Sequence, residues 1–290
     1  MKAGLVTTII PVYNRSAMLR EAVASVLAQT YRPIEILIVD DGSTDDTAAV
    51  VDGLARVHPE IRAIHQENAG PGVAREAARK IAEGEFIQHL DSDDVLLPEK
   101  FERQVAALHA RPECGAAYCR TLWRYHGVIE RDPLRRTGER IETMFPAMLK
   151  SRWWHTATPL YRASLLQQAG SWLPLRLEED WEYDARIAAQ GVRLAYVDGE
   201  PLCEVRRHAL GHASGNAISR DALRDRTEAH ARIFEHARRA GIGFDVPEMR
   251  HFARELFLIA RQAGAAGLEE ESKRMFELAR TASGDRRNAL

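Results

Sequence analysis

The chain has 290 residues, 45% of them hydrophobic and 28% charged, and its 40 Lys and Arg against 42 Asp and Glu leave a net charge of -2. That length buries a sizeable core in one large domain or a domain with an appendage, and the near balance of charge excludes a global nucleic-acid or membrane footprint, so an anionic substrate has to be met locally. Cys114, Cys119 and Cys203 lack CxxC spacing, which argues against a disulfide framework or a zinc site and fits a reducing, cytosolic compartment; no apolar run approaches the roughly 18 residues of a membrane span.

The N-terminal MKAGLVTTIIPVYNR has too short an apolar run for a signal segment and reads as a strand that begins almost at once. From residue 5 to residue 91, short apolar runs alternate with helical patterns. This is the signature of an α/β fold with a mostly parallel sheet covered by helices on both faces. Residues 5–10 are the first strand, ended by Pro11, Val12, Tyr13 and Asn14, and Leu19, Ala22, Val23 and Val26 give the helical stripe that follows. Residues 34–39 (IEILIV) are a fully buried second strand. Asp40 and Asp41 close it, Gly42 supplies the turn, and Ser43 or Thr44 caps the next helix. Residues 61–65 make a weaker third strand, followed by Asn68, Gly70, Pro71 and Gly72 and a helix through Val73, Ala77 and Ile81.

The fourth strand opens the most informative stretch, GEFIQHLDSDDVLLPEKF at residues 84–101, in which Asp91, Asp93 and Asp94 crowd a strand end before Pro98 restarts a helix. Like charges that close raise one another's pKa, so such a cluster is stable mainly with a cation or hydrogen-bond donors among the carboxylates. Hard carboxylate oxygens suit Mg2+ or Mn2+, which use one or two protein carboxylates and take their other ligands from water and phosphates. Alone, the same residues also read as a solvated turn that caps the following helix. In every strand the unusual polar residues fall just past the C-terminal end: Tyr13 and Asn14, Asp40 and Asp41, Asn68, then Asp91 and Asp93. That edge is where open α/β sheets bind ligands. No GxxxxGK[ST] is present, and GPGVAR at residues 70–75 lacks a third glycine and follows the third strand, which sets aside P-loop and Rossmann readings.

Beyond Pro98, a helix with Phe101, Val105 and Leu108 leads into a strand at residues 115–125 and an Arg-rich connection at 131–140, either a diphosphate contact or a solvated loop. Trp153 and Trp154 either stack on a sugar face or fill the core. Residues 178–184 (EEDWEYD) open a helix with more carboxylates than a cap requires. Strands at 192–197 and 202–205 lead to Arg206, Arg207 and His208. From residue 218 only helices follow: one capped by Ser219 and stopped at Gly241, one with a core stripe of Met249, Phe252, Ala253, Leu256, Phe257 and Ala260, and one over 268–282. The domain division predicted is 1–215 for the sheet domain and 216–290 for a C-terminal helical extension.

IIPVYNR (9–15), VDDGSTDDT (39–47), ENAGPGVARE (67–76), LDSDD (90–94) and EEDWEYDAR (178–186) resemble, in order and spacing, the motifs of the family 2 inverting glycosyltransferases with a GT-A fold. The likeness covers about residues 5–208 and leaves the last helices outside. It implies a mostly parallel, mixed sheet flanked by helices and transfer of a sugar from a nucleotide-sugar donor to an acceptor hydroxyl, with Mg2+ or Mn2+ as cofactor. Carried over residue by residue, it implies that Pro11 and Tyr13 frame the base, Asp41 hydrogen-bonds it, and Asn68, Gly72 and Arg75 line the nucleotide pocket. Asp91 would contact the ribose or donor sugar, Asp93 would bind the metal together with His208 near the phosphates, and Asp180 would be the general base.

Uracil, thymine and guanine all present an N-H to such an aspartate, and family frequency alone favours UDP. The implied acceptor is a carbohydrate, lipid-linked or other hydroxyl compound in polysaccharide, glycan or glycolipid synthesis. The implied location is cytoplasmic, or peripheral at the inner face of the membrane, with the oligomeric state open. Two rivals stand beside this reading. A nucleotidyltransferase would need a GxGxR-type loop that is absent after the first strand, and a non-catalytic nucleotide-sugar-binding protein would show metal-dependent affinity without turnover.

Overall fold

A computed structural model of the protein describes residues 1–125, 128–130, 135–207 and 219–284. The aliphatic runs form β1 (Lys2–Val12), β2 (Ile34–Asp41), β3 (Ile61–Gln66) and β4 (Gly84–His89), joined by the crossover helices α1 (Ser16–Leu27), α2 (Thr47–Val57) and α3 (Pro71–Arg79). Every residue of β2 is buried, as a strand covered on both faces requires. After β5 (Val95–Leu96) and α4 (Lys100–Ala110) come β6 (Cys114–Cys119), β7 (Thr121–Tyr125), β8 (Val128–Glu130), β9 (Leu160–Arg162), α5 (Ala163–Ala169), α6 (Glu179–Ala188), β10 (Arg193–Val197) and β11 (Cys203–Arg207).

The main sheet has seven strands in the order β10-β6-β9-β4-β1-β2-β3, and β5-β11-β7-β8 make a second sheet of four. β9 runs antiparallel to both β4 and β6, while β1 pairs in parallel with β2 and β4, so the main sheet is mixed but mostly parallel. The core under it joins Val6, Ile10, Leu19, Val23, Ile36, Ile38, Phe86 and Phe101.

The chain forms two compact units: Met1–Glu142, Trp154–Pro174 and Arg193–Leu210 in the first, and Thr143–Trp153, Leu175–Val192 and Gly211–Leu290 in the second. Both sheets lie in the first. The second is helical: α6, α7 (Arg220–Arg239), α8 (Pro247–Ala265) and α9 (Glu269–Ala282). Ser219 caps α7 as its sequence predicts, its hydroxyl accepting the Ala222 N–H at 3.2 Å, and the chain turns at Gly241 with φ +77°. Within this unit the rings of Trp181, His230 and Phe252 pack together, with His230 stacked on Phe252 at 5.4 Å. Among the described residues no helix is long and apolar enough to cross a membrane.

Three local expectations change, and one that was open is decided. β1 continues through Pro11, which pairs with Val39; its partnership with β4 has ended at Ile9, so β1 has only β2 as a neighbour there and the missing N–H interrupts no second ladder. The single strand expected over 115–125 is two, β6 and β7, which the exposed Arg120 divides between the two sheets. Ser43 and Thr44 do not cap α2: the helix begins at Thr47, whose N–H donates to Asp45, and the hydroxyls of Ser43 and Thr44 both accept from Asn14. Trp153 and Trp154 are 7% and 2% exposed, which makes them core residues and not a sugar-stacking face.

Candidate functional site

Four parallel strands, β3, β2, β1 and β4, end at one edge of the main sheet, and the turns that leave them are tied to one another. Asp41 ends β2. One of its carboxylate oxygens accepts from the Gln66 amide at 2.7 Å and the Ala69 N–H at 2.9 Å, and the other from the Gly70 N–H at 2.8 Å. The Asn68 amide donates back to the Asp41 carbonyl at 2.9 Å. The turns after β2 and β3 are thereby clamped together. Gly42, at φ +74°, permits the approach, since a Cβ there would lie 2.7 Å from the Asn68 nitrogen.

The turn after β1 reaches the same place from the other side. Asn14 adopts the left-handed conformation at φ +51°, which asparagine tolerates better than most residues, and its side-chain oxygen accepts the Thr44 N–H at 2.8 Å. Its own N–H donates to the Ser43 hydroxyl at 3.0 Å. Arg15 then donates its backbone N–H to Thr47 and its guanidinium to Asp93, in the turn after β4. From the third side, the buried Arg75 of α3 donates to Asp91 at 2.7 Å while lying 5.0 Å over the Trp172 ring. The contacts close a ring of turns: β3 to β2, β2 to β1, β1 to β4, and β4 back to the helix that follows β3.

Asp91, Asp93 and Asp94 share this ring. Asp94 is buried and accepts the Arg206 N–H of β11 at 3.0 Å. Burial, reinforced by the charges of Asp91 and Asp93, pushes its carboxyl well above the ordinary carboxylate value. The three acids therefore sit close together, Asp93 paired with Arg15 and Asp91 with Arg75. Among the described residues no three His, Cys, Asp or Glu side chains gather as a complete metal cage. A donor set of one or two part-buried carboxylates beside a third acid still fits Mg2+ or Mn2+, provided the substrate supplies phosphate oxygens.

The residues expected at the site are distributed as follows. Tyr13 is 44% exposed just past β1, whereas Pro11 is buried within the strand. Asn68 is exposed at the turn after β3; Gly72 is buried in the first turn of α3, behind Gly70 at φ +94°. Asp41, Arg75, Asp91 and Asp93 stand in the ring of turns. Asp180 lies in the second unit, in the first turn of α6, where the Arg152 guanidinium bridges it and Asp184. His208 lies outside the described residues, as does part of the Arg-rich stretch at 131–140.

The sequence reading assigned no role to Arg15, Asn14, Arg152 or Arg206. Asn14 and Arg15 stand inside a motif and could have been flagged by their position after β1. Arg152 and Arg206 meet partners 28 and 112 residues away, and no local spacing points to them.

A mixed sheet of this order, flanked by helices and carrying acids and anchored turns at the C-terminal edge of its parallel strands, is the GT-A fold of nucleotide-sugar glycosyltransferases. Staphylococcus aureus TarS, solved with UDP-GlcNAc, shares it at a TM-score of 0.68 with 18% identity, over 96% of this chain and 90% of that one. A mannosyltransferase of Pyrobaculum calidifontis, solved with GDP-Man and Mn2+, does so at 0.55 with 20% identity, over 96% of this chain and 83% of that one. Residues 7–166 match the model of glycosyl transferase family 2, and the chain belongs to that family. A glycosyltransferase of Rickettsia prowazekii is 33% identical over 212 residues, 71% of this chain and 64% of its own length. The chain spans less of other curated relatives, down to 15% of their length.

Proposed function

We propose that the protein transfers a sugar from a nucleoside-diphosphate sugar to an acceptor hydroxyl by a single in-line displacement that inverts the anomeric carbon. The observation that carries this reading is the ring of hydrogen-bonded turns, because it holds an exposed aromatic, exposed amides and two ion-paired aspartates around one sheet edge. Tyr13 offers a face for the base, and Pro11 and Asp41 act behind it by fixing the turns on which recognition depends. Asn68, Gly72 and Arg75 line the nucleotide site, and Asp91 meets the ribose or donor sugar.

Asp93, with Asp91 beside it, would hold Mg2+ or Mn2+; such an ion supplies positive charge to a diphosphate leaving group, so that no proton donor is needed there. Arg15 and Arg75 hold the two carboxylates in place in the free protein. His208 is a further candidate near the phosphates. Asp180 accepts the proton of the attacking hydroxyl, with Arg152 fixing its carboxylate. The acceptor is a carbohydrate, lipid-linked or other hydroxyl compound, and the ligands of TarS and of the Pyrobaculum enzyme make UDP- and GDP-sugars the first donors to try.

A thermal-shift screen of UDP-, GDP- and dTDP-sugars with Mn2+ identifies the donor, and Asp180→Asn then tests the base. Turnover should fall by roughly 10^2 to 10^4, the range for a lost general base, while donor affinity stays close to that of the parent. Full transfer by Asp180→Asn would place the base elsewhere.

A further inference from the structure

The stripe of apolar residues on α8 places Phe257 in the core, yet Phe257 is 43% exposed, Leu258 46% and Phe276 of α9 46%. The two phenylalanine rings meet, with centroids 6.0 Å apart. Around them stand cations. At 3.6 residues per turn, Arg250, Arg254, Phe257, Leu258 and Arg261 fall within an arc of about 100° on α8, and Lys273 and Arg280 lie within about 60° of Phe276 on α9. None of these five basic side chains makes an ion pair with a described residue. Other arginines of the same helical unit do: Arg224 with Asp221 and Glu271, Arg232 with Glu228, and Arg274 with Glu228.

We propose that this face of α8 and α9 docks on an anionic phospholipid bilayer. Unpaired cations ringing a small aromatic patch suit a headgroup layer, in which the rings enter the acyl boundary while the arginines reach outward to lipid phosphates. The acids do not cancel the field: on α9 Glu269, two turns away, and Glu277 lie near the face of Phe276 while Glu271 is paired with Arg224, and on α8 Glu255 lies against His251, so the five cations outnumber them.

A second copy of the chain fits less well. An aromatic side chain carries about 150–250 Å2, so three side chains left under half exposed offer on the order of 250 Å2, against about 800 Å2 per partner in a standard interface. A twofold contact through this face would also set the same five cations against one another. The proposal stands apart from the sugar-transfer reading, since its readout is binding to vesicles.

The full chain is sedimented with vesicles of phosphatidylcholine alone and of phosphatidylcholine mixed with phosphatidylglycerol, at low and high salt. Binding should require phosphatidylglycerol and weaken with salt. The double variant R254Q/R261Q should bind roughly thirtyfold more weakly, at about fivefold per charge, and F257S/F276S at least about tenfold more weakly. All four positions are exposed, and circular dichroism confirms that the variants keep their helices. The proposal is overturned by equal binding with and without phosphatidylglycerol, by no binding to either vesicle, by variants that bind like the parent, or by a solution dimer that F257S/F276S disperses.

Discussion

Asp41 illustrates how one side chain can matter to a site through what it holds in place. Its two oxygens accept three N–H groups from residues 66–70, and a carboxylate has only about four lone-pair sites to offer. Replacing it with Ala leaves two backbone donors and an amide without an acceptor at a buried position, so Asp41→Ala should cost about 2–4 kcal/mol in thermal or urea unfolding. Because the turn after β3 is then released, donor affinity should fall as well. Asp41→Ala with unchanged stability and unchanged affinity would remove the clamp from the account. The sequence exposed part of this arrangement: strand-end position and turn chemistry picked out Tyr13, Asp41, Asn68, Asp91 and Asp93. What it could not expose is pairing, since Arg15 and Asp93 are 78 residues apart and only the parallel order of β1 and β4 makes them neighbours.

The helix α6 shows the same division at the level of an element. Its excess of acids was legible, and their partners were not. Glu178, ahead of the first turn, sits in the left-handed region at φ +60°, an uncommon state for a residue with a side chain. Arg226 donates to one of its oxygens at 3.0 Å and His230 lies 2.9 Å from the other, both from α7. Glu182, one turn on, meets Arg186 and, at 2.9 Å, His236. Burial by itself would raise both carboxyls, but these partners hold both below their ordinary value of 4.5. A depressed folded pKa means stability that is present above the unfolded value and lost as pH falls through the folded one. Acid unfolding followed by circular dichroism should therefore steepen below about pH 4.5, and Glu182→Gln should flatten that dependence while lowering stability at neutral pH by about 1–3 kcal/mol. An unaltered acid limb in Glu182→Gln would show that α6 is held by packing alone. α8 was legible too, except at Phe257: periodicity marks which residues share a face, but not where the neighbouring helix stops covering it.

For the molecule as a whole, alternating apolar runs identified the parallel strands of the main sheet, because buried strands need an unbroken aliphatic stretch. They did not identify β5 or β8, which are two and three residues long, nor the change of sheet between β6 and β7. Strands that short carry no period to read. The arginine partners of Asp91 and Asp93 also separate folding from metal: the free protein already gives each of these carboxylates a guanidinium, so EDTA should leave its melting temperature unchanged. The same chelator should erase the extra stability that donor with Mn2+ confers, about 2.7 kcal/mol at a hundredfold excess over Kd. A melting temperature that drops on chelation without donor would make the ion structural.

The bond from the Arg206 amide to Asp94 has a bearing on how short this chain can become. The segment that defines the family ends at residue 166, yet β10 and β11 come from beyond it, one closing an edge of the main sheet and the other lying between β5 and β7. Trimming the gene to the family's common stretch would leave a sealed-in acid without its amide and bare flanks of three strands, β5, β6 and β7, to stray partners. The shortest self-sufficient version of the first unit must extend past Arg206, so its boundary is drawn by an acid more than a hundred residues upstream.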